Sequence, residues 1–327
     1  MAKIVLGLGT SHSPMLSTPA DAWHMHADRD QKNSRLHFRG RIYNFAELLE
    51  ARGAEKLDGH INGEIWRSKQ QGCEQALTAL GETLAKAAPD VVLIIGDDQR
   101  ELFSDENMPA LAIFWGQRIE CIPTIRKPVH PSIAAAHRDQ FGDEREWYPV
   151  ETELGRHLVE QMMVEGFEVA QFTRQAEGRT IGHAFTFVRR RVMKGNLISV
   201  VPITVNTYYP PNQPIAARCY AFGRALRRAI ESWDGAKRVA VVASGGLSHF
   251  VVDEDLDYTV LKAMRERDER TIGGLGEELF QSGSSEIKNW IVAAGALEAL
   301  EMNLVGYYPA YRSQAGTGCG LAFAQWQ

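Results

Sequence analysis

Three histidines stand where strand-like or helical sequence meets glycine. His12 lies in Gly-Thr-Ser-His-Ser-Pro after the apolar run 4–8, and His249 ends Ser-Gly-Gly-Leu-Ser-His after the run 239–243. Paired glycines let the backbone turn sharply, and the carboxyl ends of parallel strands meet at one edge of a sheet. We therefore expect these two imidazoles to face a shared site, although a hydrogen-bonded or capping histidine is the ordinary alternative for His12. His183 follows a glycine and begins a helical stretch, which alone indicates little.

Acidic residues supply oxygen donors near the same predicted edge. Asp97-Asp98-Gln99 follows residues 91–95, the most hydrophobic strand-like run, and its oxygen atoms suit a divalent cation. A helix N-cap or a turn is the competing interpretation of this segment. Glu286 begins an apolar helical stretch, where the helix dipole by itself favours a carboxylate.

Strand-like and helical segments alternate along the chain, as is typical of an α/β fold. The strand-like runs occupy residues 4–8, 91–95, 111–115, 197–205 and 239–243. Apolar positions between residues 152 and 166 form one helical face, a strand-like stretch follows at 167–170, and another helix is predicted after Pro214. The pattern predicts a single α/β domain, residues 1–327, with a central mixed sheet flanked by helices.

One segment interrupts this alternation soon after the first strand. Residues 20–89 are rich in charged residues and helix formers and are the least strand-like part of the chain. Their composition predicts a helical insertion. It serves either as a lid over the site or as a surface decoration.

Composition narrows the class of partner. The 327 residues carry a formal net charge of -5, and no basic run exceeds three arginines, so nucleic-acid and membrane surfaces are poor partners and a small molecule is expected. Four cysteines lie far apart without a Cys-x-x-Cys pair, and the N-terminal apolar run is too short for a signal peptide. These features predict a reduced, cytoplasmic protein.

The polar segments resemble, in the same order, those of the class III extradiol ring-cleaving dioxygenases, the family of the catalytic subunit of protocatechuate 4,5-dioxygenase. The resemblance lies in Gly-Thr-Ser-His-Ser-Pro, Val-Asn-Thr-Tyr-Tyr-Pro-Pro, Gly-Gly-Leu-Ser-His and Gly-Ser-Ser-Glu followed by Trp290. It covers most of the chain outside residues 20–89. It implies cleavage of an aromatic ring with insertion of both atoms of O2.

The resemblance also implies roles for individual residues. His12 and Glu286 match a histidine ligand and the carboxylate ligand of a mononuclear Fe(II). His249 matches the acid/base histidine beside the metal, and His183 matches a second histidine that contacts the substrate hydroxyl and oxygen. Two histidines and one carboxylate on one face of the metal leave open positions for a chelating catecholate and for O2.

Gln99 departs from the family pattern, which has a histidine ligand at this position. A glutamine can bind a metal through its amide oxygen, a harder and weaker donor than imidazole. Asp97, Asp98 and His60 are alternative sources of the missing ligand, and loss of the metal is a further alternative. We predict His12, Gln99 and Glu286 as the metal ligands.

The resemblance favours an Fe(II) extradiol dioxygenase that acts on a catecholic aromatic acid such as protocatechuate, gallate or an O-methylgallate. Because relatives use a small partner subunit or a fused domain to cover the pocket, residues 20–89 are a candidate for the same task, and a homo-oligomer is expected. Tyr208 and Tyr209 are candidates for orienting the carboxylate of the substrate. A divergent metal enzyme on the same scaffold and a non-catalytic binding subunit are the alternatives.

Overall fold

A fully buried strand lies at the centre of the molecule. The computed structural model describes residues 1–123 and 130–327, and in it every residue of the segment Val91–Gly96 is buried. A continuous apolar run of this kind is typical of a parallel strand that is covered by helices on both faces. The side chains alternate between two cores, with Leu93 and Ile95 in one and Val92 and Ile94 in the other.

The elements follow in chain order. The strands are β1 (Lys3–Thr10), β2 (Leu36–Phe38), β3 (Arg41–Tyr43), β4 (Val91–Gly96), β5 (Leu111–Phe114), β6 (Arg118–Cys121), β7 (Glu146–Pro149), β8 (Ala170–Phe172), β9 (Ser199–Val205), β10 (Arg238–Ser244), β11 (His249–Val251), β12 (Met302–Tyr311) and β13 (Thr317–Trp326). The helices are α1 (His24–Asp30), α2 (Phe45–Arg52), α3 (Gly63–Ala87), α4 (Pro131–Phe141), α5 (Thr152–Val164), α6 (His183–Phe187), α7 (Ala216–Ser232), α8 (Glu254–Glu266), α9 (Glu269–Gly274) and α10 (Ile287–Ala296).

The central sheet is mixed, as the sequence predicts. Its strands run in the order β11-β13-β1-β10-β4-β9-β5-β8, and β12 pairs with β13 outside this path. Strands β1, β10, β4 and β9 are mutually parallel, whereas β5 pairs antiparallel with β9 and β13 pairs antiparallel with β1. The carboxyl ends of β1, β10 and β4 therefore lie side by side, and each is followed by one of the polar segments singled out above.

Helices cover both faces of the sheet. Helices α5, α7, α8 and α10 pack on one face, where Leu158, Phe222 and Trp290 belong to a single buried core. Helices α3 and α6 pack on the other face, where Leu80 and Phe185 are buried. This arrangement confirms the predicted α/β architecture.

The segment 20–89 is mainly helical but also contains a hairpin. Strands β2 and β3 pair across a two-residue turn in which Arg39 and Gly40 both have positive φ, 48° and 77°. Positive φ at both central residues suits the twist of a tight hairpin, and Arg-Gly is not the usual sequence signal for this turn. Asn62 caps α3 by accepting a hydrogen bond from the backbone N–H of Ile65. The hairpin is therefore a difference from the predicted helical insertion.

Two predicted boundaries also differ from the structure. The predicted strand at 167–170 begins only at Ala170, the first residue of β8. The preceding residues instead complete the end of α5, where Gly166 has a φ of 80° and the N–H of Phe167 donates to the carbonyl of Met162. Strand β9 begins at Ser199 rather than at Leu197, which is 75% exposed. Among the described residues, the helices are all too short or too polar to cross a bilayer.

Candidate metal centre and its cavity

His12 lies at the end of β1 with one ring nitrogen held and the other directed into the site. Ser244 donates its hydroxyl hydrogen to the carbonyl of Ala184 at 2.6 Å, so its oxygen accepts from Nδ1 of His12 at 3.1 Å. Nδ1 therefore carries a proton, and Nε2 is the ring nitrogen directed into the site. Nε2 is buried without a hydrogen-bond partner among the described residues, which is the state expected of a metal-ligating nitrogen.

Glu286 lies opposite this nitrogen at the start of α10. Its side chain is 1% exposed, and Oε2 lies 3.2 Å from Nε2 of His12 and accepts from the N–H of Gly246 at 2.9 Å. Oε1 lies 3.3 Å from Nε2 of His249. Burial would raise the pKa of Glu286, but the neighbouring imidazoles of His249 and His12 hold this pKa well below its usual value. The carboxylate is thus ionised and poised to bind a cation.

Asp97 supplies a second buried carboxylate. It is fully buried, and one oxygen accepts from Nδ2 of Asn289 at 3.2 Å. Ligand atoms of His12, Asp97 and Glu286 all lie within 4.8 Å of one another. Burial and then the charge of Glu286 raise the pKa of Asp97 to about 6, as expected for carboxylates crowded together without a cation.

Gln99 faces the two carboxylates. Its amide nitrogen donates to Oε1 of Glu286 at 3.1 Å and lies 3.4 Å from Oδ2 of Asp97. Residue 99 therefore borders the cluster, as the resemblance implies. In the described arrangement its amide is a hydrogen-bond donor to the acidic side chains.

The other proposed sources of a ligand lie elsewhere. Both oxygens of Asp98 accept backbone hydrogen bonds, from Leu102 at 2.8 Å and from Phe103 at 3.1 Å. Asp98 therefore closes a turn, which is the alternative stated for this segment. His60 is exposed on a short helical turn and packs against the ring of Tyr311, with centroids 5.6 Å apart.

His249 enters the site from the loop after β10. Its Nδ1 donates to the carbonyl of Leu247 at 2.9 Å, which leaves Nε2 facing Glu286. Burial would lower the pKa of His249, but the carboxylate of Glu286 raises this pKa well above its usual value. Gly245 and Gly246 have φ values of 124° and 64°, and a Cβ on Gly245 would lie 2.6 Å from Oε2 of Glu286. The paired glycines therefore allow the turn and also the close approach of the carboxylate.

His183 lies at the start of α6, beside His12. Their ring centroids are 4.6 Å apart, and Nδ1 of His183 lies 2.6 Å from Oε1 of Glu101. Burial would lower the pKa of His183, but Glu101 outweighs burial and the pKa rises to about 9. His12, His183 and His249 thus line one cavity, where the strand exits predicted a shared site for His12 and His249 and the resemblance added His183.

A cavity of about 410 Å³ opens in front of these side chains. Its floor includes His12, Gln99, His183, His249 and Glu286. The volume lies within the range of small-molecule sites and suits a single aromatic ring with substituents.

The matches with known proteins agree with this geometry. Residues 54–320 match the family described as the catalytic LigB subunit of aromatic ring-opening dioxygenase. The chain belongs to this family. The match includes the regions of Gln99, His183, His249 and Glu286, whereas His12 precedes it.

Two curated relatives of this LigB-family chain are dioxygenases. The gallate dioxygenase of Pseudomonas putida is 30% identical over 193 residues, which are 52% of this chain and 53% of the relative. The 2,3-dihydroxyphenylpropionate/2,3-dihydroxicinnamic acid 1,2-dioxygenase of Comamonas testosteroni is 24% identical over 180 residues, 55% of this chain and 49% of the relative. The chain thus spans about half the length of the curated relatives it matches.

Sequence reasoning missed Glu101 in this LigB-family site. The turn closed by Asp98 brings Glu101 back towards α6, where it is 8% exposed and holds His183. The sequence signal that could have identified Glu101 is an acidic residue shortly after a polar strand exit. Tyr208 and Tyr209 are not among the residues that line the cavity; Tyr209 instead stacks on Arg100.

Proposed function

We propose that this chain is a non-haem, Fe(II)-dependent extradiol dioxygenase that opens the ring of a catecholic aromatic acid of the protocatechuate, gallate or O-methylgallate type. The observation that carries the proposal is the buried cluster of His12, Asp97 and Glu286, of which His12 and Glu286 line a cavity that also presents His249 and His183. Membership of the LigB family supports the same reaction class.

The residues present fit a divalent cation. Nε2 of His12 is an orphaned buried nitrogen, and two buried carboxylates face it. Bound Fe(II) would supply adjacent coordination positions for a catecholate and for O2. We assign His12, Asp97 and Glu286 as its ligands and Gln99 as the donor that orients the two carboxylates. The prediction that Gln99 is itself a ligand stays a prediction.

The two other histidines handle protons. Nε2 of His249 points at the floor of the cavity, while Nδ1 is fixed by Leu247. A cation bound at Glu286 would offset the carboxylate charge that raises the pKa of His249, so Nε2 could then accept a proton from a substrate hydroxyl and later return it. His183 is held by Glu101 so that its Nε2–H can donate to negative charge that develops on oxygen. In both residues Nδ1 is engaged, by Leu247 or by Glu101, so Nε2 is the nitrogen available to the substrate.

Three further sequence-based expectations concern the covering segment, the cellular location and the assembly. Helix α1 of the segment 20–89 contributes His26 and Arg29 to the cavity wall, which supports a covering role for this segment. All four cysteines are free and buried, which supports a reducing, cytoplasmic location. A homo-oligomer stays the expected assembly.

The test is anaerobic reconstitution with Fe(II), followed by oxygen uptake and ultraviolet-visible spectra with protocatechuate, gallate and 3-O-methylgallate. We expect stoichiometric oxygen consumption with loss of the aromatic band. Glu286→Ala should lose the metal, because the central carboxylate is removed. His249→Ala should retain the metal and lose at least about 100-fold in turnover, since it removes only the proton acceptor.

Metal content of each protein, measured before the assay, separates these effects. Normal turnover by His249→Ala would show that the acid/base assignment is wrong. Absence of both bound iron and oxygen uptake in the parent protein would overturn the proposed function and favour a divergent or non-catalytic member of the family.

A further inference from the structure

One wall of the cavity is basic, and the segment 20–89 contributes two of its residues. Helix α1 contributes His26 and Arg29, and Arg312 lies beside them after β12. Arg312 and Asp30 are 4% and 3% exposed and form a two-point ion pair, with Nη2 to Oδ1 at 2.9 Å. The charge of Arg312 is therefore neutralised within the protein.

Arg29 is different because its charge has no such partner. It is half-buried and lines the cavity, and in the described ranges 1–123 and 130–327 no hydrogen bond or ion pair engages its guanidinium. A guanidinium carries five N–H donors and stays charged at all ordinary pH values. A desolvated cation without a counter-ion is unfavourable, so this position gains stability when an anion enters the cavity.

His26, the other side chain of α1 in this wall, is uncharged. It is 1% exposed, and Nε2 lies 3.2 Å from Oγ1 of Thr18. The hydroxyl of Thr18 donates to backbone carbonyls of Pro14 and Ser132, so its oxygen accepts from the ring of His26. Burial first, and then the charges of Arg312 and Arg29, lower the pKa of His26 to about 3. His26 is therefore neutral, and the net positive charge at the wall is that of Arg29.

The cavity is thus electrically asymmetric. Its floor holds the carboxylate of Glu286, with Asp97 buried behind it, and these groups are matched to a cation and to the hydroxyl groups of a catechol. Arg29 instead supplies a positive charge on the wall that no hydrogen bond or ion pair among the described residues matches. A catecholic acid has the complementary pattern, with hydroxyls on one side of the ring and a carboxylate on the other. A guanidinium binds a carboxylate through two parallel hydrogen bonds.

We propose that Arg29 binds the carboxylate of the aromatic substrate and makes the site selective for aromatic acids over neutral catechols. The inference deepens the proposed function and rests on it for the identity of the reaction. The binding of the carboxylate itself does not depend on turnover, because the guanidinium and the cavity are present without the reaction.

Binding of 4-hydroxybenzoate and of 4-hydroxybenzamide to the full-length protein tests the proposal, since neither compound has the vicinal hydroxyls needed for ring cleavage. We expect the parent to bind the acid more tightly than the amide. Arg29→Gln should weaken binding of the acid about 10- to 100-fold and leave binding of the amide unchanged, because only the acid has a negative charge that pairs with the guanidinium. Arg29→Lys should recover part of the lost affinity, since it keeps the charge without the planar fork.

Arg270→Gln, at an exposed arginine outside the cavity, is the matched control and should bind both compounds like the parent. Melting temperatures of all variants verify that the fold is retained. Equal affinity of the parent and Arg29→Gln for 4-hydroxybenzoate would overturn the inference, as would an equal loss for the acid and the amide. If acid-selective binding depends on Arg29 while no ring cleavage occurs with Fe(II), the inference stands and the proposed function fails.

Discussion

At the scale of single residues, the site depends on which atom of each side chain is already engaged. Ser244 engages Nδ1 of His12, and Leu247 engages Nδ1 of His249, so both imidazoles present Nε2 to the same carboxylate. Both hydrogen bonds come from the β10 strand exit, which therefore sets the chemical role of two histidines. Glu286 is the shared centre, and Gln99 takes the position beside it.

The identity of the third ligand is a prediction at this scale. Asp97→Asn should weaken Fe(II) binding by more than the roughly 10- to 100-fold loss that is typical of outer-shell partners, because it removes a buried anionic ligand. Gln99→His should tighten Fe(II) binding, since the side chain at 99 borders Glu286 and imidazole is the better donor. Chelator competition measures both affinities.

Asp98→Asn is the matched control for this pair, because both oxygens of Asp98 accept backbone N–H groups of a turn and Asp98 is not part of the His12, Asp97 and Glu286 cluster. It should bind Fe(II) like the parent. Unchanged affinity in Asp97→Asn together with a large loss in Gln99→Ala would instead assign the ligand role to Gln99.

At the scale of elements, close helix packing positions α10. Helices α7 and α10 approach through two glycines: a Cβ on Gly223 would lie 2.0 Å from the carbonyl oxygen of Val292, and one on Gly295 would lie 2.2 Å from that of Tyr220. These contacts are with backbone atoms, which cannot move aside as a flexible side chain does. Helix α10, which begins directly after Glu286, is therefore held against α7 by backbone contacts in its second half.

Gly223→Ala should destabilise the protein by at least about 2 kcal/mol, because the added methyl group overpacks a backbone contact. Urea unfolding followed by circular dichroism measures the change in the free energy of unfolding. Gly274→Ala, in α9 and with no atom within 4 Å of the added Cβ, is the control and should be neutral or slightly stabilising. Equal stability of the two variants would contradict the proposed tightness of the α7–α10 contact.

At the scale of the whole molecule, one buried carboxyl group joins three distant parts of the chain. Asp257 in α8 accepts hydrogen bonds from the N–H and hydroxyl of Ser248, at 2.8 and 2.7 Å, and from the hydroxyl of Tyr307 in β12 at 2.7 Å. Burial raises the pKa of Asp257 to about 7, although these hydrogen bonds oppose the shift. The network holds the loop that ends at His249.

The raised pKa predicts a pH dependence of stability. Between about pH 4 and pH 7 the folded protein binds a proton at Asp257 that the unfolded chain has released. The protonated Asp257 therefore stabilises the fold fully below about pH 4, and this stabilisation is lost as the pH rises through 7. Asp257→Asn stays neutral and keeps hydrogen-bonding groups. Relative to the parent, the variant should therefore gain up to about 4 kcal/mol in the free energy of unfolding from pH 4 to pH 7.

Urea titrations of both proteins at several pH values measure this difference. Asp253→Asn is the control: the backbone N–H of Asp253 donates to the hydroxyl of Ser248 in the same loop, but its carboxylate pairs with Arg39 instead of with the loop. Parallel pH profiles for the parent and Asp257→Asn would show that Asp257 is ionised throughout this range.

His183 and Glu286 became site candidates only through the resemblance to a known family. The sequence patterns by themselves determined the α/β class and the strand exits that carry His12 and His249. Each of these depends on local pattern, because hydrophobic periodicity and glycine-bearing exits are properties of neighbouring residues. Helix α5, predicted over 152–166 and found at Thr152–Val164, shows the same accuracy for a locally encoded element.

Only the tertiary structure decided which side chains meet. Glu101 holds His183 across 82 positions, Asp97 joins His12 and Glu286, and Arg29 reaches the cavity from the segment 20–89. The hairpin β2–β3 and the turn closed by Asp98 likewise lacked a strong local signal. Contacts between distant residues depend on the register of the strands and the packing of the helices, which no short window of sequence contains.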